Sequence, residues 1–117
     1  MYRILPKSTE NIIGIRVEGR MEEEDYKGLL LFIESLIKKH GTIRILIDLR
    51  AFTGGDLQGV LKTLPYFKYS SKVEKKALVT DQRWIYASTK LLSPFVRTEV
   101  RCFPSFEIEK AWKWVKK

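Results

Sequence analysis

At 117 residues the chain can bury one hydrophobic core, so residues 1–117 are expected to form a single domain. Hydrophobic residues at 44% and charged residues at 31% exclude a disordered polymer, and a single cysteine, Cys102, excludes an internal disulfide or a thiolate metal cluster. The formal charge of +8, from 22 Lys and Arg against 14 Asp and Glu, admits nucleic acid, anionic lipid and acidic proteins as partners, although solubility alone accounts for such a balance.

In chain order, Tyr2 to Leu5 suits a short strand and "PKSTEN" a turn. The opening "MYRILPKSTE" carries no signal-peptide core, which is the pattern of a cytoplasmic protein. "IIGIRVEG" alternates, with Ile13, Ile15 and Val17 on one face and Gly14, Arg16 and Glu18 on a wetter one, and is expected to hairpin with the first strand. "MEEEDYKGLLLFIESLIKKHG" is the clearest helix. Tyr26, Leu29, Leu30, Ile33, Leu36 and Ile37 form an apolar stripe, with Leu31 and Phe32 at or beyond its edge. Acidic residues load its first turn, Lys38, Lys39 and His40 its last, and Gly41 stops it. Its longest apolar run, "GLLLFIESLI", is broken by Glu34 and Ser35 and falls short of the roughly 18 residues that a membrane span needs.

"IRILIDL" reads as a central parallel strand covered on both faces. In "AFTGGDLQG", Gly54 and Gly55 are expected to make a tight turn and Asp56 to cap a helix "DLQGVLKTL" that ends at Pro65. "YFKYSSKVEK" is a polar and aromatic connector. "KKALVTD" is another buried strand, with Asp81 capping a helix "QRWIYASTKLL" that stops at Pro94. "TEVRCF" alternates like an edge strand, and Cys102 reads as a small core residue. Ser105 is expected to cap the last helix. There Ile108, Ala111 and Val115 face inward, Phe106 lies opposite, and Trp112 and Trp114 flank the stripe. The order predicts an α/β fold, a mixed, mostly parallel sheet of four to five strands with about four helices.

"KKALVTDQRW", "LLSPFVRTEVRCF" and "EIEKAWKWV" together resemble the SpoIIAA-like family, within the wider group of STAS domains (sulfate transporter and anti-sigma factor antagonist). The matched positions are Ala77, Val79, Asp81, Trp84, Pro94, Phe95, Glu99, Val100, Arg101, Phe103, Ala111 and Trp114, and "VEGRMEEEDYKGL" and "RILIDLRAFTGG" also fit. The resemblance implies the same sheet-and-helix fold. Because some relatives have a fold likened to the CRAL-TRIO lipid-binding domain, it also implies lipid or another apolar ligand as a candidate, by analogy of fold alone. Anti-sigma factor antagonists carry a phosphoacceptor Ser in a segment like "F-x-D-S-S-G". Here Phe52 is in place, but Gly54 and Gly55 stand where Asp and Ser would be, and Thr53 is the one nearby hydroxyl. The phosphorylation switch is therefore expected to be absent.

The glycine segment lacks the Lys-Ser/Thr pair of a phosphate-binding loop. His40, the single histidine, sits at the N-terminal edge of the sheet, away from the C-terminal edge where ligands of such sheets bind. A Cys-His dyad and a metal site are disfavoured, and no cofactor is expected. Asp48 and Asp81, at or near the ends of two parallel strands, are the candidate carboxylates for an enzyme. Against that, Asp81 suits a cap, and Arg50 or Arg20 can pair with Asp48. Lys38, Lys39, His40, Lys72, Lys75, Lys76, Arg97, Lys116 and Lys117 collect at the other edge, where they compensate helix dipoles or form a docking patch.

These readings lead to a non-enzymatic binding or regulatory module for a protein partner or a small apolar ligand. Its expected site is Asp48, Phe52, Gly54, Gly55, Asp81 and Trp84, covered by Tyr66, Phe67 and Tyr69. The alternatives are a small enzyme using Asp48 and Asp81, or a basic domain docking to anionic membrane or nucleic acid. Nucleic acid is the weaker of those two, since no RNP motif or recognition helix is present. A homodimer is compatible with all of these readings.

Overall fold

β-branched residues concentrate in "IRILID", and such side chains pack well on a pleated surface. This segment forms the middle strand of the sheet. The computed structural model describes residues 2–55, 72–83 and 99–117. Its elements are β1 (Tyr2–Ile4), β2 (Ile12–Met21), α1 (Glu23–His40), β3 (Ile43–Gly55), β4 (Val73–Val79), β5 (Glu99–Phe103), a 3-10 turn (Ser105–Glu107) and α2 (Ile108–Lys116).

The strands lie in the order β1-β2-β3-β4-β5. β1 pairs antiparallel with β2, as the expected hairpin, while β2–β3, β3–β4 and β4–β5 pair parallel, so the sheet is mixed. About four helices were expected, and two α-helices occur among the described residues. The helices expected over "DLQGVLKTL" and "QRWIYASTKLL" lie outside the described residues, apart from helical Arg83.

Alternation on β3 divides the core. Ile43 and Ile45 join Ile13, Ile15, Val17 and the α1 residues Leu29, Ile33 and Ile37. Leu46 joins Ala77, Val79, Phe103 and the α2 residues Ala111, Trp112 and Val115. Phe32 and Leu36 pack against the first cluster, whereas Leu31 is exposed. Thus β3 is covered on both faces, as its composition requires.

The wetter face of β2, where Arg16 and Glu18 stay partly exposed, is covered at Gly14. Gly14 is buried beneath Trp112, whose ring is only 4% exposed and does not merely flank the stripe of α2. The absence of a Cβ at Gly14 makes room for the indole.

α1 ends as its sequence predicts. Gly41, at φ 88°, donates its N–H to the Ile37 carbonyl. Glu22 precedes the helix, and its backbone N–H donates to the Asp25 carboxylate at 2.9 Å. Two cations meet the exposed carbonyls at the end of α2: Arg44 Nη1 reaches the Val115 oxygen at 2.9 Å and Lys75 Nζ the Trp114 oxygen at 3.2 Å.

Two expectations need correction. Gly54 and Gly55 do not form a turn directly after the strand; both belong to β3 and pair with Arg20 and Met21. Register shifts between Arg16 and Glu18 and between Gly19 and Arg20 bend the paired strands, and positive φ at Gly19 (65°) and Gly54 (126°) accommodates the bend. Nor does Ser105 cap the last helix: it begins the 3-10 turn, and neither that turn nor α2 has a side-chain cap hydrogen bond.

Candidate functional site

Asp48, expected at or near a strand end, lies inside β3 opposite Val79, the last residue of β4, and Asp81 follows that strand by two residues. Asp48 faces the α2 side of the sheet with Leu46 and is 1% exposed. Arg50 grips it in a bidentate pair, with Nε to Oδ1 at 2.9 Å and Nη2 to Oδ2 at 2.8 Å. The Arg50 backbone N–H adds a third bond to Oδ1 at 3.0 Å. Of the two partners weighed for Asp48, Arg50 is the one that pairs. Arg20 instead contacts Glu22 at 3.2 Å.

Burial pushes the Asp48 carboxyl toward the neutral form. The Arg50 side-chain and backbone bonds, with the charges of Arg50 and Arg16, outweigh it and hold the pKa below the usual aspartate value. Arg50 is pushed up in turn, chiefly by its bond to Asp48. Arg16 lies beside Asp48 in the β2–β3 register. Its Nε is buried without a hydrogen bond, 3.6 Å from Glu18. The charges of two guanidinium groups therefore act on one carboxylate, which only Arg50 of the two bonds.

Asp81 is exposed, and Ser105 donates its backbone N–H to Oδ1 at 2.9 Å. Hydrogen bonds from the Ser105 side chain and backbone hold the Asp81 carboxyl below its ordinary range. Its expected role as a cap of "QRWIYASTKLL" involves residues outside the described ones. Thr80, fully buried, accepts the Gln82 backbone N–H on Oγ1 at 3.1 Å, and Gln82 Nε2 reaches the Phe52 carbonyl at 3.0 Å. These bonds tie β3, β4 and the segment after β5 into one edge.

Phe52, expected as a contact residue, is 6% exposed and packs in the α1-side core. Thr53 is exposed and Gly54 half-buried. Asp48 and Arg50 are thus paired, and the Arg50 charge acts on Asp81, while Gly54 lies six residues farther along β3 than Asp48 and the Phe52 ring is inside. Tyr66, Phe67, Tyr69 and Trp84 lie outside the described residues. Sequence reasoning missed Arg16, Thr80 and Gln82 as parts of this edge. Strand alternation marks Arg16 as facing the same way as Gly14, but only the β2–β3 register brings it to Asp48.

At the opposite edge the basic residues are partly engaged. Lys38 pairs with Glu34 at 3.4 Å, and Lys75 lies 5.0 Å from the Trp114 ring centre as well as on its carbonyl. Lys76 is half-buried, and burial pushes its ammonium below the ordinary lysine range. Cys102, expected in the core, is half-buried. Among the described residues, no group of three or more His, Cys, Asp or Glu side chains is placed to hold a metal ion. No helix among them is long and apolar enough to cross a membrane.

Residues 12–116 match the family model described as SpoIIAA-like. The chain belongs to the SpoIIAA-like family. Among solved structures, it is similar to an uncharacterised protein of the DUF3478 family with a SpoIIAA-like fold from Shewanella loihica PV-4. The TM-score there is 0.75 at 19% identity, covering 97% of this chain and 93% of the other. The anti-sigma factor antagonist SpoIIAA in its unphosphorylated form matches with a TM-score of 0.66 at 11% identity, over 97% and 98% of the two chains. The Bacillus cell fate determinant SpoIIAA in its phosphorylated form matches at 0.58 and 14%, over 94% and 97%. At these identities the likeness is one of fold. No curated protein matches the sequence. The SpoIIAA-like assignment agrees with the α/β order and five-stranded sheet described above.

Proposed function

We propose that the protein is a non-enzymatic interaction module whose protein partner docks on the C-terminal edge of the sheet, around Arg16, Arg50, Thr53, Gly54 and Asp81. The observation that carries this reading is the Asp48–Arg50 pair. A general base must be free to take a proton, and a general acid must hold one near neutral pH. Asp48 is occupied by three hydrogen bonds and held anionic, and Asp81 is held anionic by Ser105. Such carboxylates suit a fixed binding surface better than proton transfer.

A protein suits this edge better than a small apolar ligand. The one large apolar side chain of the site among its described residues, Phe52, is committed to the core. What reaches solvent is the Arg50 guanidinium, the Thr53 hydroxyl and the Asp81 carboxylate. Arginine is enriched among the residues that dominate protein interfaces. The family membership supports the same reading, since one solved structure of similar fold is an anti-sigma factor antagonist.

Photo-crosslinking from a benzophenone amino acid at Thr53, in extract of the native host, tests this. The expected result is one dominant protein adduct that disappears when Arg50→Ala is added. Native mass spectrometry of the purified chain should show no bound small apolar molecule. A co-purified lipid-sized ligand displaced by substitutions at this edge, or a turnover abolished by Asp48→Asn, would overturn the proposal.

A further inference from the structure

A second face, on the far side of α2 from Trp112, has features of its own. Arg101, Phe103, Glu107, Lys110, Lys113, Trp114 and Lys117 line a depression of about 360 Å³ between β5 and α2. Its floor is aromatic: the Phe103 and Trp114 rings lie 5.9 Å apart, tilted by 55°. Phe103 is buried and Trp114 half-buried, so part of the indole remains open to an incoming group.

The rim is cationic. Lys110 has Glu107 at 3.7 Å, and Arg101 sits 5.1 Å from the Phe103 ring centre. Among the described residues, no carboxylate pairs with Arg101, Lys113 or Lys117. Arg44 and Lys75 already donate to the Val115 and Trp114 carbonyls at the end of α2. Immediately before Glu107 stands Phe106, 84% exposed. A small anion in the depression would leave that ring in water, whereas a peptide several residues long would cover it.

We propose that the β5–α2 depression is a docking site for an acidic peptide segment of a partner protein, one that places an apolar side chain against Trp114 and Phe103 and its carboxylates on Arg101, Lys113 and Lys117. Charge complementarity selects the acidic flanks. The exposed Phe106 and the aromatic floor select a peptide with apolar residues over a bare polyanion. None of the residues lining this depression is among those proposed for the C-terminal edge, so the two sites are tested by different substitutions.

The test uses the full chain and a synthetic nonapeptide of Asp and Glu with Leu at its centre, titrated by tryptophan fluorescence and by NMR shifts of the Trp114 indole. Controls are an equally charged poly-Glu peptide and ATP. The Leu peptide should bind about tenfold more tightly than poly-Glu, and Lys113→Glu with Arg101→Glu should weaken it by at least about tenfold. Phe106→Ser should weaken the Leu peptide and leave poly-Glu unchanged. Lys38→Glu with Lys39→Glu, on the other edge of the sheet, should change neither. Equal binding of both peptides, or equal loss from the Lys38 and Lys39 changes, would overturn the proposal in favour of general attraction to a basic protein. ATP binding more tightly than the peptide would overturn it in favour of a small-molecule anion site. Crosslinking from Thr53 should be unaffected by Lys113→Glu, so failure of either site is read separately.

Discussion

Gly14 and Trp112 are in contact across the α2 face of the sheet, and the contact exists because Gly14 has no side chain. A Cβ built on Gly14 would lie 2.8 Å from Trp112 Cζ2, nearer still to Cη2, and 3.1 Å from the Leu5 Cβ. The indole is a rigid bicycle in a buried position, with no flexible end to yield. Gly14→Ala should therefore destabilise the fold by about 1–3 kcal/mol, the usual range for overpacking a core. Thermal unfolding followed by tryptophan fluorescence would show a lower midpoint. An unchanged midpoint would mean that α2 can lift from the sheet at little cost.

The Asp48–Arg50 pair makes stability depend on acid in a defined direction. The folded-state pKa of Asp48 is depressed. Its contribution is therefore complete above the unfolded aspartate value of about 3.9 and is lost as pH falls through the lower folded value. Asp48→Asn should cost about 1–3 kcal/mol near neutrality. The cost stays below that of breaking a fully buried pair because the Arg50 side chain is 41% exposed and can be rehydrated. Urea unfolding of both proteins from about pH 7 to about pH 2 should show the difference shrinking at the acid end. A constant difference would assign the loss to packing instead of charge.

Arg44 and Lys75 hold the end of α2 from below. Replacing Arg44 with Met keeps the stem and removes the donor to the Val115 carbonyl. The loss should be about 1–2 kcal/mol, toward the low end for charge-assisted bonds because the pair is partly wet. Amide exchange should quicken first in residues 113–117. Quickening that begins in α1 would argue against a local effect.

No phosphoacceptor serine lies between Phe52 and Leu64. Incubation with kinase-bearing extract, followed by peptide mass mapping, should leave this segment unmodified. Stoichiometric phosphate on Thr53, which is exposed on β3, would restore a phosphorylation switch to this protein.

Much of the fold was legible in local sequence, because the signals there are themselves local. The α1 stripe, its charged ends and Gly41 act within a few residues of one another, and the helix ends at His40 as they require. The near-continuous apolar run of β3 required cover on both faces, whatever supplied it. The pairing of Asp48 with Arg50 was visible because two residues on one strand, i and i+2, face the same way.

Other features depend on partners distant in the chain. Gly14 alternates with Arg16 and Glu18 and so reads as a wet position until α2, about a hundred residues later, lays Trp112 over it. Gly54 and Gly55 read as a turn because glycine tolerates positive φ, which is true of Gly54. Their place in a strand comes from pairing with Arg20 and Met21, whose backbone groups supply the ladder. Ser105 has the residue type of a helix cap, but parallel pairing of β4 with β5 brings the Asp81 carboxylate to both its hydroxyl and its backbone N–H. Among the described residues, sequence by itself determined where the two helices and the strand cores lie, and that the α1 stripe and both faces of β3 must be buried. Tertiary structure decided what buries them, because a backbone N–H or an apolar face satisfies itself with whatever neighbour the sheet register delivers.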